Sequence, residues 1–231
     1  MKYSQRIQEL PPDERPYEKC LHSGPEKLTD SELLAVVLRS GTRGSSSVQL
    51  ADEVLHLGQN EQGLLGIYHL SMEDLMQIRG IGQVKAVQIK CIGELSKRIA
   101  TREAGKLLDF HSPDTIAAYY MERMRHEEQE QMICTMLNTK NQFLGDEVIS
   151  RGTVNSSLVS PRDLILAAFR HRAVYMILVH NHPSGNLKPS RQDMEITKQV
   201  KEAARLMRIT VIDHLILTDT SYYSFADEGE L

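Results

Sequence analysis

The sequence predicts an α+β protein: an all-helical N-terminal domain over residues 1–105, then a mixed α/β domain over residues 106–231. Two patterns carry this expectation. Up to about residue 100 the apolar residues recur at helical spacing, as in Leu33, Leu34, Val37 and Leu38, or Val84, Ala86, Val87 and Ile89, because side chains three and four apart share a helix face. From Gln131 onward, short apolar runs (Gln131–Leu137, Val174–Val179, Ile209–Leu217) alternate with capped amphipathic stretches, the pattern of strands separated by helices. At 231 residues the chain can hold two modest domains, each burying its own core.

Taken in order, residues 1–16 carry Pro11, Pro12 and Pro16 and read as an irregular arm. Thr29 or Asp30 can cap a helix from Glu32 to Arg39, with Gly41 taking a left-handed exit. Gly41–Ser47 reads as a loop and Val48–Leu57 as a second helix that stops at Gly58. Ser71 with Asp74 three residues later forms a capping box that opens a short helix through Leu75 to Ile78. Gly80-Ile81-Gly82 follows, then a helix from Gln83 to Ile99. This helix, tight glycine turn and second helix resemble the helix-hairpin-helix motif, in which backbone N–H groups meet a DNA phosphate without reading sequence. The resemblance implies weak, non-specific DNA binding through residues 75–90, with Lys85, Lys90, Lys97 and Arg98 as added basic contacts. A hairpin that only packs two helices, or docks a protein, is the alternative.

Thr101–His111 loses clear periodicity and reads as the link between the domains. Ser112-Pro113-Asp114 opens a helix that carries Ile116, Tyr119, Tyr120 and Met124, with proline in the first turn where its missing N–H costs nothing. A strand over Gln131–Leu137, a turn at Asn138–Asn141 and a partner strand over Phe143–Arg151 make a hairpin. Ser160-Pro161-Arg162-Asp163 starts a further helix. The strand Val174–Val179, a helix from Ser190 to Met207, the strand Ile209–Leu217 and a short run Tyr222–Phe225 complete the domain.

Composition narrows the function classes. A net charge of −4 gives the whole chain no bias toward nucleic acid, although a local basic patch is compatible with it. The N-terminal stretch lacks the apolar core of a signal peptide, and no window approaches a membrane span. Cys20, Cys91 and Cys134 are three and widely spaced, which suits small buried groups in a reducing compartment. The expectation is a cytoplasmic protein with no membrane association; the pattern specifies no oligomeric state.

The chemistry concentrates in Val179–Asp193, VHNHPSGNLKPSRQD. His180 and His182 close an apolar strand, where residues two apart point the same way, and Asp193 follows just inside a helix start. Two imidazoles and a carboxylate are the protein ligands of a catalytic zinc (Zn2+) site with its fourth position left to water. Read structurally, the same residues are a bonded histidine pair and a Ser190–Asp193 helix cap. Asp213-His214 is another acid–imidazole pair, suited to supporting the ligands from behind or to a structural hydrogen bond. At the junction before the first strand stand three carboxylates, Glu127, Glu128 and Glu130.

The spacing His180-x-His182, seven residues, Ser190, two residues, Asp193 resembles the JAMM motif of JAB/MPN metallopeptidases, a cytidine-deaminase-like fold. The words HNHPSG, PSRQD, GTVN, PRD and DHLIL beneath a helix-hairpin-helix resemble the bacterial RadC family over nearly the whole chain. The resemblance implies His180, His182 and Asp193 as metal ligands, Ser190 as the oxyanion-stabilising serine, and Glu130 as the general base. It implies a zinc-dependent hydrolase acting on an amide or isopeptide bond of a peptide or protein substrate. The alternative is a nucleic-acid-binding, DNA-repair-associated protein whose zinc site is structural or vestigial.

Overall fold

The computed structural model describes residues 11–58, 63–152 and 159–231. Residues 1–10 of the expected arm, and Thr153–Asn155 of the GTVN word, lie outside the described residues. The chain divides into two compact units, Met1–Ser96 and Lys97–Leu231. Among the described residues no helix is long and apolar enough to cross a membrane.

The first unit is helical. Its helices are α1 (Pro16–Ser23), α2 (Asp30–Leu38), α3 (Ser47–Leu55), α4 (Gly66–His69), α5 (Met72–Gln77) and the first part of α6 (Gln83–Lys106). Capping boxes at Thr29–Glu32, Ser46–Gln49 and Ser71–Asp74 start α2, α3 and α5. Each satisfies two of the N–H groups that a helix start leaves unpaired. Leu34, Leu38, Leu50, Val54, Leu75, Ile81 and Ile89 form the core.

Three expectations are corrected here. Helix α2 exits through Arg39, at φ 63°, and not through Gly41. Gly41 is needed for a different reason: a Cβ there would stand 2.1 Å from the Ser45 carbonyl oxygen. The segment expected as a linker from Thr101 is helical through Lys106, because Arg102, Glu103, Ala104 and Lys106 are good helix formers and the stretch contains no proline. Finally, α1 lies partly where an irregular arm was expected; Pro16 sits at its first turn, where proline favours a helix start.

In the second unit α7 (Pro113–Met124) precedes β1 (Gln131–Leu137) and β2 (Phe143–Arg151). Then come α8 (Pro161–Arg170), β3 (Tyr175–Asn181), α9 (Arg191–Leu206), β4 (Thr210–Leu217) and β5 (Tyr222–Ser224). The sheet order is β2-β1-β3-β4-β5, with β3 and β4 parallel and the other pairs antiparallel. Every residue of β1 is buried, so alternation along it feeds two cores. Met132, Cys134 and Met136 pack with Leu164 and Ala168 of α8 and Val200 and Ala204 of α9. Ile133 and Leu137 pack on the other face with Ile116, Ala117 and Tyr120 of α7. The parallel β3–β4 step needs a crossover, and α9 supplies it. That crossover delivers the first turn of α9 to the carboxyl end of β3.

One polar network ties α7 to the hairpin. The Arg123 guanidinium forms a two-pronged pair with Asp146, whose second prong is 3.2 Å long. The Tyr120 hydroxyl meets Thr135 at 2.6 Å and donates to Asp146 at 2.9 Å. Asp146→Ala strips both donors of their acceptor. Hydrogen bonds to charged groups contribute about 1.5–3 kcal/mol, so a loss of about 2 kcal/mol is expected, read as a lower urea midpoint at unchanged slope. Tyr120→Phe should cost about 1 kcal/mol; an equal effect of the two would remove the ion pair as the main contributor.

Candidate metal centre

Where β3 ends and α9 begins, the structure brings His180, His182 and Asp193 together, with one ligand atom of each within 4.8 Å of the others. His180 ends the buried face of β3 and is 4% exposed. His182 lies just past the strand and is held to the neighbouring strand by its N–H to the Leu217 carbonyl, 2.7 Å. The two Nε2 atoms are 2.9 Å apart. Asp193 Oδ1 is 3.3 Å from His180 Nε2, and Oδ2 is 3.5 Å from His182 Nε2.

The carboxylate is aimed by the start of α9. Ser190 is the N-cap: its Oγ accepts from the Asp193 N–H at 3.1 Å, and its own N–H donates to Asp193 Oδ2 at 2.7 Å. The Ser190–Asp193 spacing thus makes a capping box and also fixes one ligand atom. The cap uses a lone pair of the Ser190 hydroxyl and leaves its proton free to donate.

Proton bookkeeping shows what the centre demands. His182 Nδ1 faces the Asn186 carbonyl at 2.6 Å; a carbonyl only accepts, so that nitrogen carries the hydrogen and Nε2 of the neutral ring holds a lone pair. Two Nε2 atoms and a carboxylate therefore meet with room for at most one proton among them. Two imidazole nitrogens and a carboxylate are a donor set that could hold a divalent cation such as Zn2+. His182 is raised above the usual imidazole value: burial opposes its charge but is outweighed by Asp193, the Asn186 carbonyl and, further off, Glu130. Asp193 lies well below the usual carboxylate range; burial would raise it, and the bonds to His180 and His182 dominate.

The junction carboxylates separate clearly. Glu127 is engaged, with Oε1 2.7 Å from Lys97 Nζ and Oε2 2.9 Å from Gln131 Nε2. Glu130 is exposed, and its charge reaches His182 while its carboxylate stays outside the three-residue cluster. Asn181, buried between the two histidines, holds the backbone on both sides of it. Its Oδ1 accepts from the Gln131 N–H at 2.8 Å and its Nδ2 donates to the Gln129 carbonyl at 3.2 Å.

Asn181, Asn186 and Thr197 were not singled out from sequence. Strand alternation points Asn181 away from the histidines toward β1, and Thr197 lies one helical turn after Asp193, so both were reachable from spacing. The Asp213-His214 pair comes apart. Asp213 accepts from the Ser224 hydroxyl at 2.7 Å and from the backbone N–H groups of Ala226 and His214 at 3.0 and 2.7 Å, whereas the His214 ring faces His180 Nδ1 at 2.8 Å. In the first unit, Lys85 Nζ donates to the Ser40 and Gly80 carbonyls at 2.6 and 3.1 Å. Lys90 Nζ donates to the Tyr68 and Leu70 carbonyls at 3.2 and 2.8 Å.

These shifts set a pH window for zinc-free protein. A raised His182 contributes stability that is present below its unfolded value of about 6.5 and is lost as pH climbs through its folded value. A lowered Asp193 contributes above about 3.8 and loses that as pH falls. The melting-temperature advantage of wild type over Asp193→Asn should therefore be largest between about pH 4 and pH 6.5. It should shrink toward pH 9; an advantage that grows there without zinc would contradict this electrostatic account.

Comparison with known proteins agrees with this architecture. A family model described as RadC-like JAB domain matches residues 110–230, and one described as UPF0758 N-terminal matches residues 7–87. A UPF0758 protein of Desulforamulus reducens is 42% identical over 223 residues, covering 96% of this chain and 97% of the relative. UPF0758 proteins of Alkaliphilus metalliredigens (40% over 227 residues, 98% and 97%) and Geobacillus thermodenitrificans (41% over 223 residues, 96% and 97%) are similar at the same extent. The JAB-domain match spans just over half the chain and contains the whole histidine–aspartate cluster; the chain belongs to the bacterial RadC family.

Proposed function

We propose that this chain is a zinc-dependent hydrolase that cleaves an amide or isopeptide bond in a peptide or protein substrate. The observation that carries the reading is the convergence of His180, His182 and Asp193 on one point with too few protons to satisfy them. Three protein ligands leave a tetrahedral ion one open position, the mark of a catalytic site. When bound there, zinc supplies a Lewis acid that lowers the pKa of water from 15.7 toward about 7.

The chain's own residues divide the remaining work. Glu130, exposed, with its charge felt at His182 and the backbone on either side of it held by Asn181, takes the proton of the attacking water. It then returns the proton to the leaving amine. Ser190, whose hydroxyl proton the cap leaves free, donates to the oxyanion, a contact worth about 2.7–4 kcal/mol in an enzyme where it was removed.

DNA contact through residues 75–90, with a structural zinc, draws less support from the geometry. The Lys85 and Lys90 ammonium groups are committed to backbone carbonyls, and a structural zinc closes its fourth position with protein.

Two measurements test the proposal. Elemental analysis of protein purified without chelator should find zinc in wild type and little in His182→Ala; equal zinc in both would remove the ligand assignment. Glu130→Gln keeps the shape but cannot take the proton. It should retain zinc while turnover of a peptide library, read by mass spectrometry, falls by about 10²–10⁴-fold. Glu128→Gln should turn over as wild type does.

A further inference from the structure

Behind the candidate ligands runs a chain of buried hydrogen bonds that begins and ends on them. The Thr197 hydroxyl donates to the Asp193 carbonyl at 2.5 Å and lies 2.6 Å from His214 Nδ1. His214 Nε2 is 2.8 Å from His180 Nδ1. Thr197 is 3% exposed and His214 is fully buried, so no water competes for these groups. The Phe225 ring stacks on His214, with centroids 4.8 Å apart and planes within 13°, which fixes the plane in which the imidazole hydrogen-bonds.

Every proton in this chain can be placed. A carbonyl cannot donate, so the single hydroxyl proton of Thr197 goes to Asp193 and its oxygen can only accept from His214. His214 Nδ1 therefore carries a hydrogen. The fully buried His214 ring has its two nitrogens on Thr197 and His180, with no carboxylate on either, so it stays neutral: a buried charge without a partner is costly. Its Nε2 is then a lone pair, which accepts from His180. His180 Nδ1 carries the hydrogen, and its Nε2 presents a lone pair to Asp193 and His182.

We propose that Thr197 and His214 are positioning residues that lock His180 in its Nδ1–H tautomer, so that its Nε2 lone pair is held ready for a metal cation. The inference rests on the zinc reading for its purpose, while the tautomer itself is a property of the zinc-free protein. The arrangement also avoids a cost. A histidine ligand usually donates its second N–H to a carboxylate, a carbonyl or water. Here a neutral imidazole accepts it, which adds no second buried negative charge beside Asp193. Because the relay starts at the Asp193 carbonyl, it also couples the first turn of α9 to the end of β3 through side chains.

The test reads the tautomer directly. Long-range proton–nitrogen spectra of ¹⁵N-labelled, zinc-free protein should show His180 as the Nδ1–H form. Thr197→Val keeps the shape but removes the acceptor for His214. His214 then keeps its proton on Nε2 and donates to His180, which shifts to the Nε2–H form. Zinc affinity, measured by competition with a chromophoric chelator, should fall by about 10–100-fold, the range for losing an outer-shell partner of a ligand. Thr197→Ser should restore both readings. An Nε2–H form of His180 in wild type would overturn the proposal without any variant. So would a Thr197→Val protein with wild-type tautomer and zinc affinity. Absence of zinc uptake by wild type would sink the hydrolase reading alone, since the spectra decide the relay in its own right.

Discussion

Two imidazole nitrogens 2.9 Å apart with a carboxylate beside them crowd three electron-rich groups into one place. In water the conflict would relax by rotation of the side chains. Here it cannot, because the second nitrogen of each ring is bonded from behind, His182 to the Asn186 carbonyl and His180 to His214. Burial raises the stakes, since at low dielectric an uncompensated charge or lone pair is costlier than at the surface. The surrounding chain holds the three groups in this conflict, which the cation proposed for the site would relieve.

The fold explains how the conflict is maintained. A parallel strand pair requires a long crossover, and β3–β4 gets one in α9. The first turn of that helix therefore arrives beside the histidines as a matter of topology. The capping box then fixes the direction of Asp193 using backbone groups that any helix start must satisfy anyway. Core packing on both sheet faces, Val200 and Ala204 of α9 on one and Ile116 and Tyr120 of α7 on the other, keeps the strand ends from moving relative to the helix. Geometry at the centre is thus a by-product of forces that fold the unit.

Much of this was readable from residue order. The bounds of β1 and β2 follow from the apolar run and the turn that closes it, the capping box at Ser71 follows from spacing, and Thr29 stands as one of two cap candidates, whereas the Ser46–Gln49 box was not singled out. His180, His182 and Asp193 were legible because strand period two and a helix cap each fix a side-chain direction locally. His214 was legible as one of two candidates for support behind the ligands, but which residue it meets was not. Its partner sits on the neighbouring strand, and only the β3–β4 register, Leu178 opposite His214 and His180 opposite Ile216, brings the two rings within reach. The true end of α6 was hidden for the opposite reason. Its last turn, rich in helix formers but without an apolar face, gives no periodic signal even though propensity favours it. Lys85 and Lys90 look like free cations in sequence because backbone carbonyl acceptors leave no trace there.

Asn181 shows how one strand residue can serve two elements at once. His180 and His182 on either side of it belong to the candidate metal centre, while its own amide faces the start of β1 and takes both a donor and an acceptor from the backbone flanking Glu130. A carboxylate on an exposed segment would otherwise sample many positions, and ordering it would cost conformational entropy. Tying its backbone to the strand that carries the histidines removes that cost in advance. The Glu130 side chain stays exposed, as the proton-shuttle role proposed for it requires. A tethered backbone with an exposed carboxylate is what separates Glu130 from Glu127, whose two oxygens are already bonded.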